Sequence, residues 1–451
     1  MIKKANIVIF ILLALSNIIA FSQNNTSSPY SRYGLGELNY FNNGQTSGLG
    51  GATIGWRDPN NLNLSNPAAI TDLDTTGQIG SPFLFEFGLK NKNTFFKTET
   101  EKFYDYTTNL NYISLGFPVL KNYLFAALYL NPYSNTGYSI VTTENNTDLG
   151  EINSYYIGYG GINRSGGTIS AKPFPFLSVG VNIFYIFGQL NQTNTMIFND
   201  DEASFNYQIE KTTRISDVQY NFGLQAHKKI IKNEHFHQFT IGAVYTNYND
   251  VAAKRNVFAG TTLGTNTTSI YDNVLVDTII NVTEQEGKIR IPSNYGVGVS
   301  YNYDNKIKVS ADYYQQNWSQ SEFFGVVDTL ADSKKVSAGL EYTPDYYNKS
   351  TGFINTLKRT NYRFGFYYTK TYLNFVQKNT QLNDFGITFG LGLPVLSRDS
   401  YGIKNYKTRF NIFAKLGQLG TVEQGLIQET YVVIGLNISY FDNWFVKRKY
   451  D

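Results

Sequence analysis

The chain has 451 residues, a formal net charge of +3 and no cysteine. The near-balanced charge leaves no polybasic face for nucleic acid, and the missing cysteine excludes a disulfide framework, a thiolate metal site, a cysteine nucleophile and a lipoprotein anchor. The 36 Tyr and 33 Phe are a heavy aromatic load, of the kind used by strands and by the interfacial girdles of membrane barrels.

Residues 1–22 read as a secretory signal. Lys3 and Lys4 open it, residues 7–15 are apolar, and Ala20-Phe21-Ser22 fits a small-x-small cleavage site before Gln23. No later stretch approaches the roughly 18 apolar residues of a spanning helix.

Residues 23–79 do not alternate. They hold Ser28-Pro29-Tyr30-Ser31-Arg32-Tyr33-Gly34-Leu35-Gly36, then Ser47-Gly48-Leu49-Gly50-Gly51-Ala52, Asp58-Pro59-Asn60-Asn61 and Ser65-Asn66-Pro67-Ala68-Ala69-Ile70. From there on, fourteen segments alternate apolar with polar or small residues: 83–89, 113–117, 124–130, 155–159, 177–183, 218–224, 239–245, 295–301, 307–313, 336–342, 362–368, 385–391, 410–416 and 432–440. In the last, Val432, Ile434, Leu436, Ile438 and Tyr440 point one way and Gly435, Asn437 and Ser439 the other. Strand side chains alternate between faces. An even number of such strands closes an antiparallel transmembrane β-barrel, apolar side to lipid and polar side to the lumen. The expected fold is therefore all-β, a 14-stranded barrel over residues 80–441, with 442–451 as a periplasmic tail.

The links are tight at residues 118–122 and 304–305, and long and rich in Asn, Thr and Asp after the first, third, fifth and seventh segments. Short turns lie on the periplasmic side and long loops outside. The link at 247–293 is the longest and could hide an extra hairpin near 269–280, and the link at 343–361 is long for a periplasmic turn. The third segment ends at Asn131-Pro132; since proline cannot donate to a ladder, this point is either a defect in the wall or the start of a loop.

The lumen face carries glycines, among them Gly296, Gly298, Gly386, Gly390 and Gly392, and charges of both signs: Glu86, Lys308, Asp312, Lys335, Glu341, Arg363, Arg409 and Lys415. Mixed signs point to internal ion pairing and not to an ion-selective ring. Tyr112, Phe125, Tyr129, Tyr367 and Phe413 share that face, and either fill the interior against a plug or line an apolar pocket.

The segment before the strands resembles the N-terminal hatch of the FadL-like family of outer-membrane transport barrels, in Gly48, Gly50, Ala52, Asp58 and Asn66-Pro67-Ala68. The resemblance implies fourteen strands, a hatch over residues 23–79, and passive uptake of a hydrophobic, long-chain-fatty-acid-like molecule through the lumen and a side opening by the third strand. The opening Ser-Pro-Tyr-Ser-Arg-Tyr-Gly-Leu-Gly and the basic tail after Phe441 look like a Bacteroidota branch, in which related barrels serve the type IX secretion system, one as a plug. Outer-membrane lipid, a hydrophobic ligand and type IX components are the implied partners. Asn66-Pro67-Ala68 is expected to pin the hatch to the wall near the start of the first strand.

No enzyme, cofactor or metal chemistry emerges. His227, His235 and His237 cluster without a further ligand, no Gly-x-Ser-x-Gly is present, and residues 48–55 lack the Lys-Ser/Thr ending of a phosphate loop.

Overall fold

The computed structural model describes residues 25–75, 81–147, 149–198, 205–269, 272–348, 350–375, 380–398 and 404–444. The proposed signal (1–22) and the basic residues 445–451 lie outside them. Alternating outward apolar rows fold into a closed 14-stranded antiparallel barrel. Its strands are β1 Ser81–Lys97, β2 Lys102–Leu120, β3 Leu124–Asn146, β4 Gly150–Phe174, β5 Leu177–Phe198, β6 Asn206–Lys232 and β7 His235–Thr246. The circuit continues through β8 Asn294–Tyr303, β9 Ile307–Gln316, β10 Ser333–Tyr342, β11 Asn361–Phe375, β12 Thr380–Pro394, β13 Arg409–Leu419 and β14 Gln428–Trp444. It closes by pairing β1 with β14 from Ser81↔Trp444 to Lys97↔Gln428. The last strand thus runs three residues past the boundary at 441, through Asp442, Asn443 and Trp444.

Leu436, Phe364, Phe366 and their counterparts on other strands are exposed, while Asn437, Ser439, Glu86 and Thr388 are buried. This inversion of a soluble core is the mark of a lipid-facing barrel. One end has short turns, such as Asn233-Glu234 and Asp304-Asn305, whose four residues sit at positive φ. It also holds both ends of the barrel chain, and we call it the turn end; the other is the loop end.

The wall is uneven. β4 has 25 residues and β6 has 27, whereas β8, β9 and β10 have 10 each. The long link after β7 is itself a hairpin, Asn249–Leu263 with Val274–Ile291. Its first strand pairs with the upper half of β6, from Asn206↔Thr262 to Ile215↔Ala253, while β7 takes the lower half. The extra hairpin therefore exists, longer at both ends than 269–280. The links expected after the third and fifth segments are mostly strand. Polar residues above the lipid carry no apolar row, so their strand character is silent in the sequence.

Two strand readings change. The third strand does not end at Asn131-Pro132: β3 runs on to Asn146, with a register shift between Pro132 and Ser134. The fourth segment, 155–159, is only the upper part of its strand. The stretch that pairs with Leu124–Leu130 is Ser165–Ala171, where Gly166 and Gly167 interrupt any apolar row.

Residues 25–75 pack against the inner wall. Residues 43–73 are almost all buried, whereas 37–42 are half-buried. At the loop end Tyr30 and Leu35 join Ile162, Ile186, Val251, Ile289, Trp318 and Tyr372 in an apolar cap. At the turn end Leu62, Leu64, Ile70 and Leu73 pack with Leu84, Phe125 and Phe184.

Candidate transport path

The turn-end part of the inner segment lies on a track of wall glycines. Gly180, Gly223, Gly242, Gly298, Gly339 and Gly365 occupy inward positions on β5, β6, β7, β8, β10 and β11; Gly223 meets the Asn66 amide oxygen and the Pro67 ring, and each of the others meets the segment's backbone or a first side-chain atom. A Cβ at Gly339 would sit 2.6 Å from the Cβ of Leu49, one at Gly180 2.6 Å from the carbonyl carbon of Pro67, and one at Gly298 2.8 Å from the nitrogen of Gly55. The expected motif residues lie along this track. Gly48 packs on Gly390, Gly50 has φ +68° and donates its N–H to Thr388 Oγ1 at 2.8 Å, and Ala52 is fully buried.

Asn66 caps the 3₁₀ turn Pro67–Asp72, its Oδ1 accepting from the Ala68 N–H at 3.1 Å, while its Nδ2 donates to the carbonyl of Ile54 at 2.8 Å and of Leu224 at 3.3 Å. Ser170 donates to the Pro67 carbonyl. The triplet is thus held by β4, β5 and β6, and not near the start of β1. It is Leu62 that reaches β1, donating its N–H to Glu86 Oε1 at 3.2 Å.

Charges fasten the same region. Lys308 Nζ lies 3.3 Å from Asp58 and 3.5 Å from Glu341, and Arg363 Nε 2.7 Å from Glu341. Gln45 donates to Asp58 and Glu341, at 2.8 and 3.2 Å. Burial pushes the Asp58 carboxyl up, but Lys308, then Arg409, and the Gln45 amide hold it well below the usual carboxylate range. Asp312 accepts the N–H groups of Thr53 and Ile54 at 2.5 and 2.7 Å. Arg409 donates to Asn361 at 2.5 Å.

Two cavities flank residues 38–42. The smaller, of about 130 Å³, is lined by Phe41, Tyr129, Tyr133, Arg164, Phe184 and Tyr314. The larger, of about 220 Å³, brings Tyr367, Phe413 and Lys415 together with Lys90, Lys92 and Lys335. Lys415 lies 4.1 Å from the Tyr367 ring and 3.9 Å from Asp384. Lys92 pairs with Glu37 at 2.6 Å, whereas Lys90 bonds Asn39 at 2.6 Å and Lys335 sits over the Tyr40 ring at 4.5 Å; neither of these has a carboxylate within 4 Å among the described residues. Tyr112 and Phe125 lie outside this cavity, packed against the inner segment: Tyr112 accepts from the Gly44 N–H at 3.3 Å, and Phe125 joins the turn-end cluster. Lys90 and Lys92 were legible by parity with Glu86 and Gly88, had the first apolar run been extended past Leu89.

Beside the larger cavity the wall loses its strand pairing. The β2–β3 ladder stops at Ile113↔Leu130 although both strands continue. Thr107, Asn109 and Asn111 of β2 form one bank and Asn135 of β3 the other, all lining the cavity. The inner segment bridges both banks. Asn109 donates to the Asn25 carbonyl at 2.6 Å and Asn111 to that of Asn42 at 3.3 Å, while the short strand Glu37–Leu38 pairs with Asn135 and Ser134. The break in the β2–β3 ladder therefore lies beside Pro132, where the strand is bulged and not ended.

Among the described residues no three metal-ligating groups converge. His237 bonds Tyr301 at 2.8 Å and His235 pairs with Asp304 at the turn end, while His227 is buried.

A protein-family model described as BamG matches residues 1–451. No curated protein matches. Solved structures with this fold include the toluene transporter TbuX of Ralstonia pickettii (TM-score 0.53, 14% identity, 89% of this chain and 98% of that one) and the toluene transporter TodX of Pseudomonas putida (0.51, 14%, 90% and 99%). A FadL homologue of Pseudomonas aeruginosa is similar as well (0.52, 11%, 91% and 100%). At such identities the likeness is one of fold. The two named neighbours are transporters, not enzymes.

Proposed function

The chain belongs to the BamG family, and from that family and its FadL-type fold we propose an outer-membrane channel that takes up hydrophobic small molecules passively, by way of the lumen and the side opening. The observation that carries this is the broken β2–β3 ladder, with a cavity directly behind it. Residues 1–22 direct export, residues 23–79 act as the hatch, and the turn end faces the periplasm. A molecule enters from the loop end, rests in the larger cavity and leaves sideways into lipid, bypassing the lock beneath.

Ligand class follows from the lining. Aromatic rings accept an apolar body, and Lys90 and Lys335 offer charge-assisted donors to a carboxylate, so a long-chain fatty acid fits better than a bare hydrocarbon. The test is flux of oleate and of toluene into proteoliposomes, read by a trapped fatty-acid reporter for oleate and by gas chromatography of the recovered vesicles for toluene. Flux above that of empty liposomes, for oleate and more than for toluene, supports the reading; oleate flux no higher than in empty liposomes removes the transport, and equal flux of both substrates removes the fatty-acid preference.

A second reading keeps the barrel and drops the transport: an accessory or plug of a type IX secretion translocon. The filled interior favours it. No flux, with stoichiometric co-purification of a very large translocon barrel, would establish it; isolation as a lone barrel would remove it.

A further inference from the structure

The link between β10 and β11 carries a short helix, Phe353–Arg359, at the turn end. Its inner side is fastened. Arg359 is buried, donates to the carbonyls of Asn348 and Ser350 at 3.1 and 2.6 Å, and lies 3.8 Å from the Tyr406 ring. The Asp345 N–H bonds the Lys358 carbonyl at 2.8 Å. At roughly 100° per residue, Phe353, Ile354 and Leu357 fall on one arc away from Arg359. They are 77%, 69% and 39% exposed. A helix facing water hides its apolar arc; this one turns it outward.

The chain itself indicates what covers that arc. Tyr362 donates its hydroxyl to the Leu357 carbonyl at 3.2 Å, and Tyr362 begins the outward row Tyr362, Phe364, Phe366 of β11. The helix therefore hangs from the lower edge of the lipid-facing band. Other turn-end links present exposed apolar groups as well, namely Tyr123, Phe174, Phe176 and Ile231. We propose that Phe353–Arg359 is an interfacial anchor. It lies in the plane of the leaflet at the turn end, with Phe353, Ile354 and Leu357 among the upper acyl chains and Lys358 reaching back to lipid phosphate. The anchor fixes the depth and rotation of the rim on the side opposite the β2–β3 break, and it rests on the membrane barrel alone, not on the transport reading.

The cysteine-free chain makes the test clean. Phe353→Cys, Lys358→Cys, Leu436→Cys in the lipid-facing band and Glu99→Cys in a loop each receive an NBD label in the full-length protein, reconstituted in phosphatidylethanolamine–phosphatidylglycerol liposomes, with heat-modifiability confirming a folded barrel. With iodide on both sides of the bilayer, the label at 353 is expected to be quenched by shallow nitroxide lipid at least about half as strongly as the one at 436, and to be shielded from iodide, while 358 and 99 stay open to iodide. Iodide quenching at 353 equal to that at 99 would overturn the proposal. So would shielding of 353 from both quenchers, because that would place a protein, such as a second copy, on the arc.

Discussion

The inner segment behaves as two pieces. Residues 43–73 are buried, lie on a glycine track and are tied by Asp58, Lys308, Glu341 and Arg363. Residues 37–42 are half-buried, run between two cavities and touch the wall through a two-residue ladder and a few further bonds. Both are polar stretches in the same lumen, so composition does not separate them. What differs is how many wall positions have given up their side chains to let the backbone close in. Tight backbone contact makes a seal, and its lack leaves room for a ligand beside the one break in the wall described here.

The largest break in this contrast should come from Arg363→Met. It leaves Glu341 with Lys308 and the Gln45 amide, in a setting where unpairing a buried charge costs about 3–5 kcal/mol. The folded barrel should lose heat resistance on gels and leak ions, whereas the same change at Lys92, beside residues 37–42, should leave both almost unchanged. Gly339→Leu comes next. Its side chain would collide with Leu49, and overpacking of this kind costs about 1–3 kcal/mol; transient conductance bursts through a folded barrel are the expected readout. Lys335→Met acts on the other piece. It should reduce oleate flux about tenfold through the loss of a charged hydrogen bond and leave sealing intact, and a variant that leaks would erase the division between seal and cavity.

The smallest effect concerns pH. Burial pushes the Glu37 carboxyl up, but the charge of Lys92 and its hydrogen bond pull harder and hold it at about 2. A carboxyl depressed in the folded state stabilises that state above its ordinary value and loses this as pH falls through the folded value. Asp58 has the same sign. Conductance should therefore stay flat from pH 8 to about 5 and rise only at lower pH, as Asp58 of the sealed piece titrates; Glu37, outside the seal and with a third of its side chain exposed, should add almost nothing. A leak that begins near neutrality would contradict the assignment.

The sequence was readable wherever lipid imposes a one-sided pattern. All fourteen apolar rows sit on barrel strands, the tight link read at 118–122 is a turn at 121–123 and that at 304–305 lies in a turn, and of the mixed inward charges Lys308, Glu341, Arg363 and Lys415 form ion pairs, whereas Glu86, Asp312 and Arg409 are held by hydrogen bonds and Lys335 by a ring. It was silent where strands leave the lipid, as in β3 beyond Pro132 and in the full extent of the hairpin at 249–291, of which only 269–280 is marked, and where Gly166 and Gly167 interrupt the apolar row of β4. Asn66-Pro67-Ala68 could be seen as a motif but not located, because its contacts on Gly180 and Gly223 depend on which strands face each other across the lumen. The glycines of the track were visible one at a time; that they form a bed for another backbone requires the register of six strands.

The most direct measurement is single-channel conductance in planar bilayers after deletion of residues 48–68, with heat-modifiability confirming that the barrel has folded. A steady, ohmic, water-filled pore, where the full-length protein is silent, is the predicted result. A folded deletion variant as silent as the full-length protein would show that this segment does not seal the lumen, and would contradict the account.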